Sequence, residues 1–153
     1  MRRFAVAFAS SPEDISCRPK MPPLRTLIVE DHEELRNFLR LTLQNEARCV
    51  VIGEAVDGMQ AAQKAEEFQP DLVLLDLSLP KLNGMEALRR IRKCSPHSKL
   101  IILSQDSAPE IVREALRLGA VGYLLKSDAN SLPQALDAVL QGTVFVSPRL
   151  KIS

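Results

Sequence analysis

Four apolar runs in this chain each lead to a residue that can do chemistry. Leu27-Ile28-Val29 runs into Glu30-Asp31, and Leu72-Val73-Leu74-Leu75 into Asp76. Leu100-Ile101-Ile102-Leu103 ends on the hydroxyl of Ser104, and Tyr123-Leu124-Leu125 on Lys126. A carboxylate can accept a phosphoryl group as an acyl phosphate, which splits one difficult transfer into two easier ones. Crowded negative charge opposes that attack, so the transferring oxygens must be neutralised by cations. Mg²⁺ suits this task, because it prefers an octahedral oxygen shell with one or two carboxylates, phosphate oxygens and water. Asp31 and Asp76 can supply the carboxylates, Glu30 can hold a coordinated water, and the backbone carbonyl of Ser78 offers a further oxygen. Asp76 is the candidate nucleophile. Lys126 is a compact point charge for one phosphoryl oxygen, and Ser104 is a donor for a second.

Each of these residues also has a plain structural reading. Glu30-Asp31 could cap a helix, Asp76 could simply be a polar residue leaving a strand, Lys126 a solvated strand-end lysine, and Ser104 a turn hydroxyl. The stronger argument is their joint placement, at the ends of strands one, three, four and five. A parallel sheet brings the carboxyl ends of its strands to one edge, where ligands bind.

The elements needed for such a sheet are legible from Leu24 onward. Strands are expected over Leu24 to Val29, Cys49 to Ala55, Asp71 to Leu75, Lys99 to Leu103 and Val121 to Leu125. The third is apolar after its first residue, as a strand covered on both faces requires. Between them lie helical patterns: Leu35, Phe38, Leu39 and Thr42 in the first; Ala61, Ala62, Ala65 and Phe68 in the second; Met85, Leu88 and Ile91 in the third. Ile111, Val112, Ala115 and Leu116 mark the fourth helix, stopped by Gly119; Leu132, Ala135, Leu136, Val139 and Leu140 mark the fifth, stopped by Gly142. Asp31 or His32 is expected to cap the first helix, with Glu33 and Glu34 in its first turn. Strict alternation fits an α/β, doubly wound, flavodoxin-like parallel sheet of five strands in the order 2-1-3-4-5, forming a single domain.

Length and composition agree. The 153 residues carry 46% apolar and 25% charged side chains, ordinary for a globular protein, and a net charge of +1. That balance gives no basic excess of the kind a dedicated nucleic-acid binder shows. No apolar stretch reaches the ~20 residues needed to span a bilayer, so no membrane association is expected. Cys17, Cys49 and Cys94 have no paired or metal-like spacing, which points to reduced thiols and a cytoplasmic setting. Phe4 to Ala9 is too short for a secretory leader. Residues 1–23 are expected to be a poorly ordered extension, with Met21 an alternative start, 24–142 the domain, and 143–153 a C-terminal tail. His32 and His97 are expected in exposed structural roles.

Taken together, Leu27-Ile28-Val29-Glu30-Asp31-His32, Asp76-Leu77-Ser78-Leu79-Pro80 with Gly84, Ser104, and Gly122-Tyr123-Leu124-Leu125-Lys126 resemble the receiver domain of bacterial two-component response regulators. The resemblance covers residues 24 to 148. It implies that Asp76 is the phosphoacceptor, that Glu30 and Asp31 are the acidic pair at Mg²⁺, and that Lys126 is the family's lysine. It further implies a switch made of Ser104 and Tyr123, in which movement of the hydroxyl toward the phosphoryl group vacates space for the aromatic ring. Gln105 and Asp106 follow Ser104 where family members often carry small residues. The implied partners are a sensor histidine kinase or a histidine phosphotransfer protein, and a phosphorylation-dependent homodimer.

Gly122 to Lys126 and Val144-Phe145-Val146-Ser147-Pro148 look most like receivers of helix-turn-helix transcriptional regulators. No DNA-reading element follows in this sequence, so the expected role is signalling by protein contact or phosphorelay, with no direct DNA binding and no turnover of a separate substrate. Two other classes remain open. A phosphatase of the aspartyl-phosphate type would want a second acid two residues beyond its nucleophile, where Ser78 stands. A flavin module would want a small, hydroxyl-rich loop after strand one, where Glu30-Asp31-His32-Glu33 stands.

Overall fold

The computed structural model describes residues 22–79 and 83–150. The expectations for the extension over residues 1–21, including Cys17 and Met21, for Pro80, Lys81 and Leu82, and for the last three residues lie outside the described residues.

The elements alternate as strand and helix: β1 (Leu24–Val29), α1 (Glu33–Gln44), β2 (Cys49–Ala55), α2 (Gly58–Phe68), β3 (Leu72–Asp76), α3 (Gly84–Cys94), β4 (Lys99–Ser104), α4 (Pro109–Arg117), β5 (Gly122–Leu125), a 3₁₀ turn (Lys126–Ser131), α5 (Leu132–Leu140) and β6 (Phe145–Val146). All neighbouring strands are parallel, in the order β2-β1-β3-β4-β5-β6. The expected order of five is present, and β6 adds a sixth strand beside β5. Residues expected to form a tail are thus seated on the sheet. Phe145 and Ser147 donate their N–H groups to the carbonyls of Val121 and Tyr123, the Ser147 hydroxyl accepts from Leu125 N at 2.9 Å, and Leu150 is buried in the core.

The pleat sends alternate side chains to opposite faces, and both faces are covered. Leu27, Val29, Val73, Leu75, Leu100, Ile102, Tyr123 and Leu125 pack with residues of α2, α3 and α4; Ile28, Leu72, Leu74, Ile101, Leu103 and Leu124 pack with α1 and α5. Central strands can therefore be apolar throughout, and β3 is buried along its whole length.

The first helix departs from its expected face. Leu39 and Leu43 are its buried residues, whereas Phe38 is 38% exposed. Leu39 and Leu43 lie one turn apart on a single stripe, and each contributes about 1.5–3 kcal/mol by leaving water. His32 occupies the N-cap position, but its side chain makes no capping bond. True side-chain caps occur at α2, where Asp57 accepts from Gln60 N at 2.8 Å, and at α3, where Asn83 accepts from Glu86 N at 2.9 Å. Gly119 and Gly142, the expected helix stops, have φ of 110° and 83°.

Gly84 matters most for the placement of Asp76. Its N–H donates to the Leu77 carbonyl at 3.0 Å. A Cβ at this position would lie 2.2 Å from Leu77 Cα and 2.6 Å from the Asp76 carbonyl oxygen. Those are backbone atoms and have no rotamer by which to yield. Gly84→Ala is expected to cost about 2–3 kcal/mol of stability, by the mechanism of overpacking, read as a lowered urea midpoint with an unchanged slope.

Candidate functional site

The sheet delivers its chemistry to one edge. Asp76 is the last residue of β3 and Ser104 the last of β4; Glu30 directly follows β1 and Lys126 directly follows β5. Glu30, Asp76 and Ser104 are completely buried, and the Lys126 side chain is 11% exposed. Lys126 joins the carboxylates: its Nζ lies 3.1 Å from Asp76 Oδ2 and 3.3 Å from Glu30 Oε2. Asp76 Oδ1 accepts from Ser78 N at 2.9 Å. Ser78 thus reaches Asp76 through its N–H, and the carbonyl expected at a metal sits on the same turn.

Glu30 is folded back onto the start of α1. Its Oε2 accepts from His32 N at 3.1 Å and lies 3.1 Å from His32 Nδ1. Burial, first, and the neighbouring charge of Asp76, second, push its carboxyl above the ordinary 4.5, although the His32 N–H and Lys126 partly oppose them. One ligand atom from each of Glu30, Asp31, His32 and Asp76 lies within 4.8 Å of all the others. Within this group Glu30 Oε1 and Asp31 Oδ1 are buried and make no hydrogen bond. A buried acceptor without a partner costs about 1–3 kcal/mol, more when charged. Hard carboxylate oxygens left in this state are the donor set a divalent cation takes, so the acidic cluster fits a metal ion.

Ser104 and Tyr123 are linked through Asp106. Ser104 Oγ accepts from Asp106 N at 2.9 Å, and the Tyr123 hydroxyl donates to the Asp106 carbonyl at 2.8 Å. Tyr123 is fully buried, and burial raises its phenol while the Ser104 hydroxyl offsets part of that. A cleft of roughly 210 Å³ beside this pair is lined by Ser78, Ser104 and Asp106 among others. Gln105 lies on the opposite side, where it lines a cleft of roughly 460 Å³ with His32, Glu33 and Lys126.

Three contributors were not visible in the sequence. His32 is exposed, as expected of it, yet it touches both acids of the pair. Arg36 donates to the carbonyls of Glu30 at 2.9 Å and Asp31 at 3.4 Å, and to Glu54 Oε1 at 3.1 Å. Glu54 in turn receives Arg40, whose hydrogen bond is the main reason that the Glu54 carboxyl sits low. Their only sequence signal was Arg36 and Arg40 one helical turn apart, which does not reveal what they face. His97, in the turn after α3, is exposed and takes no part.

A parallel sheet of this topology with three carboxylates and a lysine at its carboxyl edge defines a signalling receiver. Residues 26–137 match the family model described as response regulator receiver domain, and the chain belongs to that family. It is 35% identical over 125 residues to the transcriptional regulatory protein YdfI of Bacillus subtilis (strain 168), covering 81% of this chain and 58% of that protein. To the nitrate/nitrite response regulator protein NarL of Escherichia coli (strain K12) it is 36% identical over 129 residues, covering 84% of this chain and 60% of that one. The chain thus spans about three-fifths of the length of these relatives. A solved two-component response regulator of the LuxR family from Aurantimonas sp. SI85-9A1 superposes with a TM-score of 0.78 at 32% identity, over 84% of this chain and 92% of that one. No helix among the described residues is long and apolar enough to cross a membrane.

The raised Glu30 carboxyl has a thermodynamic consequence. A carboxyl raised in the fold penalises folding as pH climbs through the interval above 4.5, and the penalty is absent below it. In metal-free protein near neutral pH, Glu30→Gln is expected to stabilise the fold, seen as a higher melting temperature. The gain should vanish below pH 4.5 and reverse in millimolar Mg²⁺, which stabilises only a chain able to bind it.

Proposed function

We propose that this chain is a phosphorylation-controlled receiver in which Asp76 is the phosphoacceptor. The observation that supports this most directly is the position of Lys126, in contact with Asp76 and Glu30 together at 3.1 and 3.3 Å, beside buried carboxylate oxygens that make no hydrogen bond. An oxygen of Asp76 attacks the phosphorus of a phosphohistidine; the P–N bond breaks, the imidazole leaves with the electron pair, and an acyl phosphate forms. Lys126 then moves its contact from Asp76 Oδ2 to a phosphoryl oxygen. Glu30, Asp31, Asp76 and the Ser78 carbonyl are the residues that would hold Mg²⁺, which when bound neutralises the transferring oxygens.

The donor is a sensor histidine kinase or a histidine phosphotransfer protein, in the cytoplasm. Ser104 leaves Asp106 N for the phosphoryl group, and the Asp106 segment that also holds Tyr123 shifts with it. The result is a change in population between two packings, favoured by charge-assisted hydrogen bonds to the phosphoryl group. Signalling follows by protein contact, by a phosphorylation-dependent homodimer, or by relay of the phosphoryl group. The chain does not turn over a separate substrate: the position two beyond Asp76, where an aspartyl-phosphate phosphatase needs its general acid, is Ser78. A second reading, a receiver acting within a longer DNA-binding transcriptional regulator, is favoured by the name of YdfI, a transcriptional regulatory protein, and by the greater lengths of YdfI and NarL.

Intact mass after incubation with acetyl phosphate and Mg²⁺ tests the central claim. Wild type is expected to gain about 80 Da, one phosphoryl group, only with metal present, and Asp76→Asn is expected to gain nothing. An adduct that persists in Asp76→Asn would move the phosphoacceptor elsewhere.

A further inference from the structure

We propose that His32 is a fourth ligand at the metal site and biases it toward divalent ions that accept nitrogen, such as Ni²⁺, Co²⁺ and Zn²⁺. This rests on the reading above, in which Glu30, Asp31 and Asp76 hold a divalent ion.

The geometry is that of an ion's coordination sphere. Two donors at right angles on an ion about 2.1 Å away stand about 3.0 Å apart. His32 Nδ1 lies 3.1 Å from Glu30 Oε2 and 3.4 Å from Asp31 Oδ1. Independently, Glu30 is completely buried, and its second oxygen, Oε1, has no partner. Glu30 and His32 belong to one group of four residues whose ligand atoms lie within 4.8 Å of one another.

The backbone sets where the ring sits. His32 N donates to Glu30 Oε2, and the ring makes no bond that caps α1. The ring is 65% exposed and lines an open cleft with Glu33, Gln105 and Lys126, so it is accessible from solvent. Imidazole suits Ni²⁺, Zn²⁺ and similar ions, whereas Mg²⁺ is held by carboxylate, carbonyl and water. One side chain therefore sets which class of ion this centre prefers. The chain has two histidines, and His97, exposed in the turn after α3, serves as an internal control.

The test uses the full chain stripped of metal by a chelator. Calorimetric titration with Ni²⁺ and, separately, Mg²⁺ is run on wild type, His32→Ala, His32→Asn and Asp31→Asn. Both His32 variants are expected to lose about tenfold more affinity for Ni²⁺ than for Mg²⁺, and Asp31→Asn is expected to lose affinity for both. In ¹⁵N NMR, the ring nitrogens of His32 should shift on adding Zn²⁺ and those of His97 should not. If Ni²⁺ and Mg²⁺ affinities fall together, or the His32 ring stays unshifted, the imidazole is not a ligand. If wild type binds neither ion, the receiver reading falls as well. Wild-type-like melting of both His32 variants separates loss of a ligand from loss of fold.

Discussion

The structure depends on holding three carboxylates beside a single ammonium. Topology imposes this crowding, since Glu30, Asp31 and Asp76 leave adjacent parallel strands at the same edge. Solvent relieves little of it, because Glu30 and Asp76 have no exposed surface. Among the described residues Lys126 supplies the one opposing charge within contact distance of both, and it reaches them from the end of a strand two places beyond β3 in the sheet. Stability is surrendered locally so that a cation and a phosphoryl group have something to gain by arriving. Sites tuned for function commonly accept this trade.

Such a centre needs a frame that does not relax around it. The Glu30-Asp31 turn is gripped from behind by Arg36, which takes both carbonyls and is itself held by Glu54. The Asp76 turn is gripped from the other side by the contact of Gly84 with Leu77, too close for any side chain. Beneath both, the sheet is covered on its two faces by completely buried aliphatic residues, and interiors packed in this way resist deformation. Asp106 ties two side chains to one backbone unit: its N–H holds Ser104 and its carbonyl holds Tyr123.

What could be read in the sequence follows from these same causes. The strands and the residues at their ends were legible because a doubly covered parallel strand must be apolar and must stop where chemistry begins, as β3 does at Asp76. The face of α1 was less legible, since Leu35, Phe38, Leu39 and Thr42 form as good a helical stripe as the one built on Leu39 and Leu43. Which of them is buried is settled by packing against the sheet, where Leu39 and Leu43 join the core cluster and Phe38 does not. The setting of Tyr123 was not legible, because its hydroxyl is satisfied by the Asp106 carbonyl, and backbone partners leave no mark in a sequence. The same holds for His32 and Arg36, whose contacts depend on how a turn of a few residues folds back. The sixth strand was hidden by its length, as two residues carry no period.

That two-residue strand has a consequence for behaviour at high concentration. An open sheet edge displays unpaired N–H and C=O groups and invites strand addition by another molecule. On this side the exposed edge is only Phe145–Val146, and Pro148 follows within two residues. The opposite edge, β2, is seven residues long, but its pairing with β1 slips register between Thr26 and Leu27, and such irregularities add twist. Its Glu54 is tied down by Arg36 and Arg40, and Lys64 lies over its carbonyl. One border is therefore too short to template a neighbour, and the other is twisted and charged. Among the described residues, neither margin of this aliphatic sheet offers a long, flat, uncharged strand for another chain to extend.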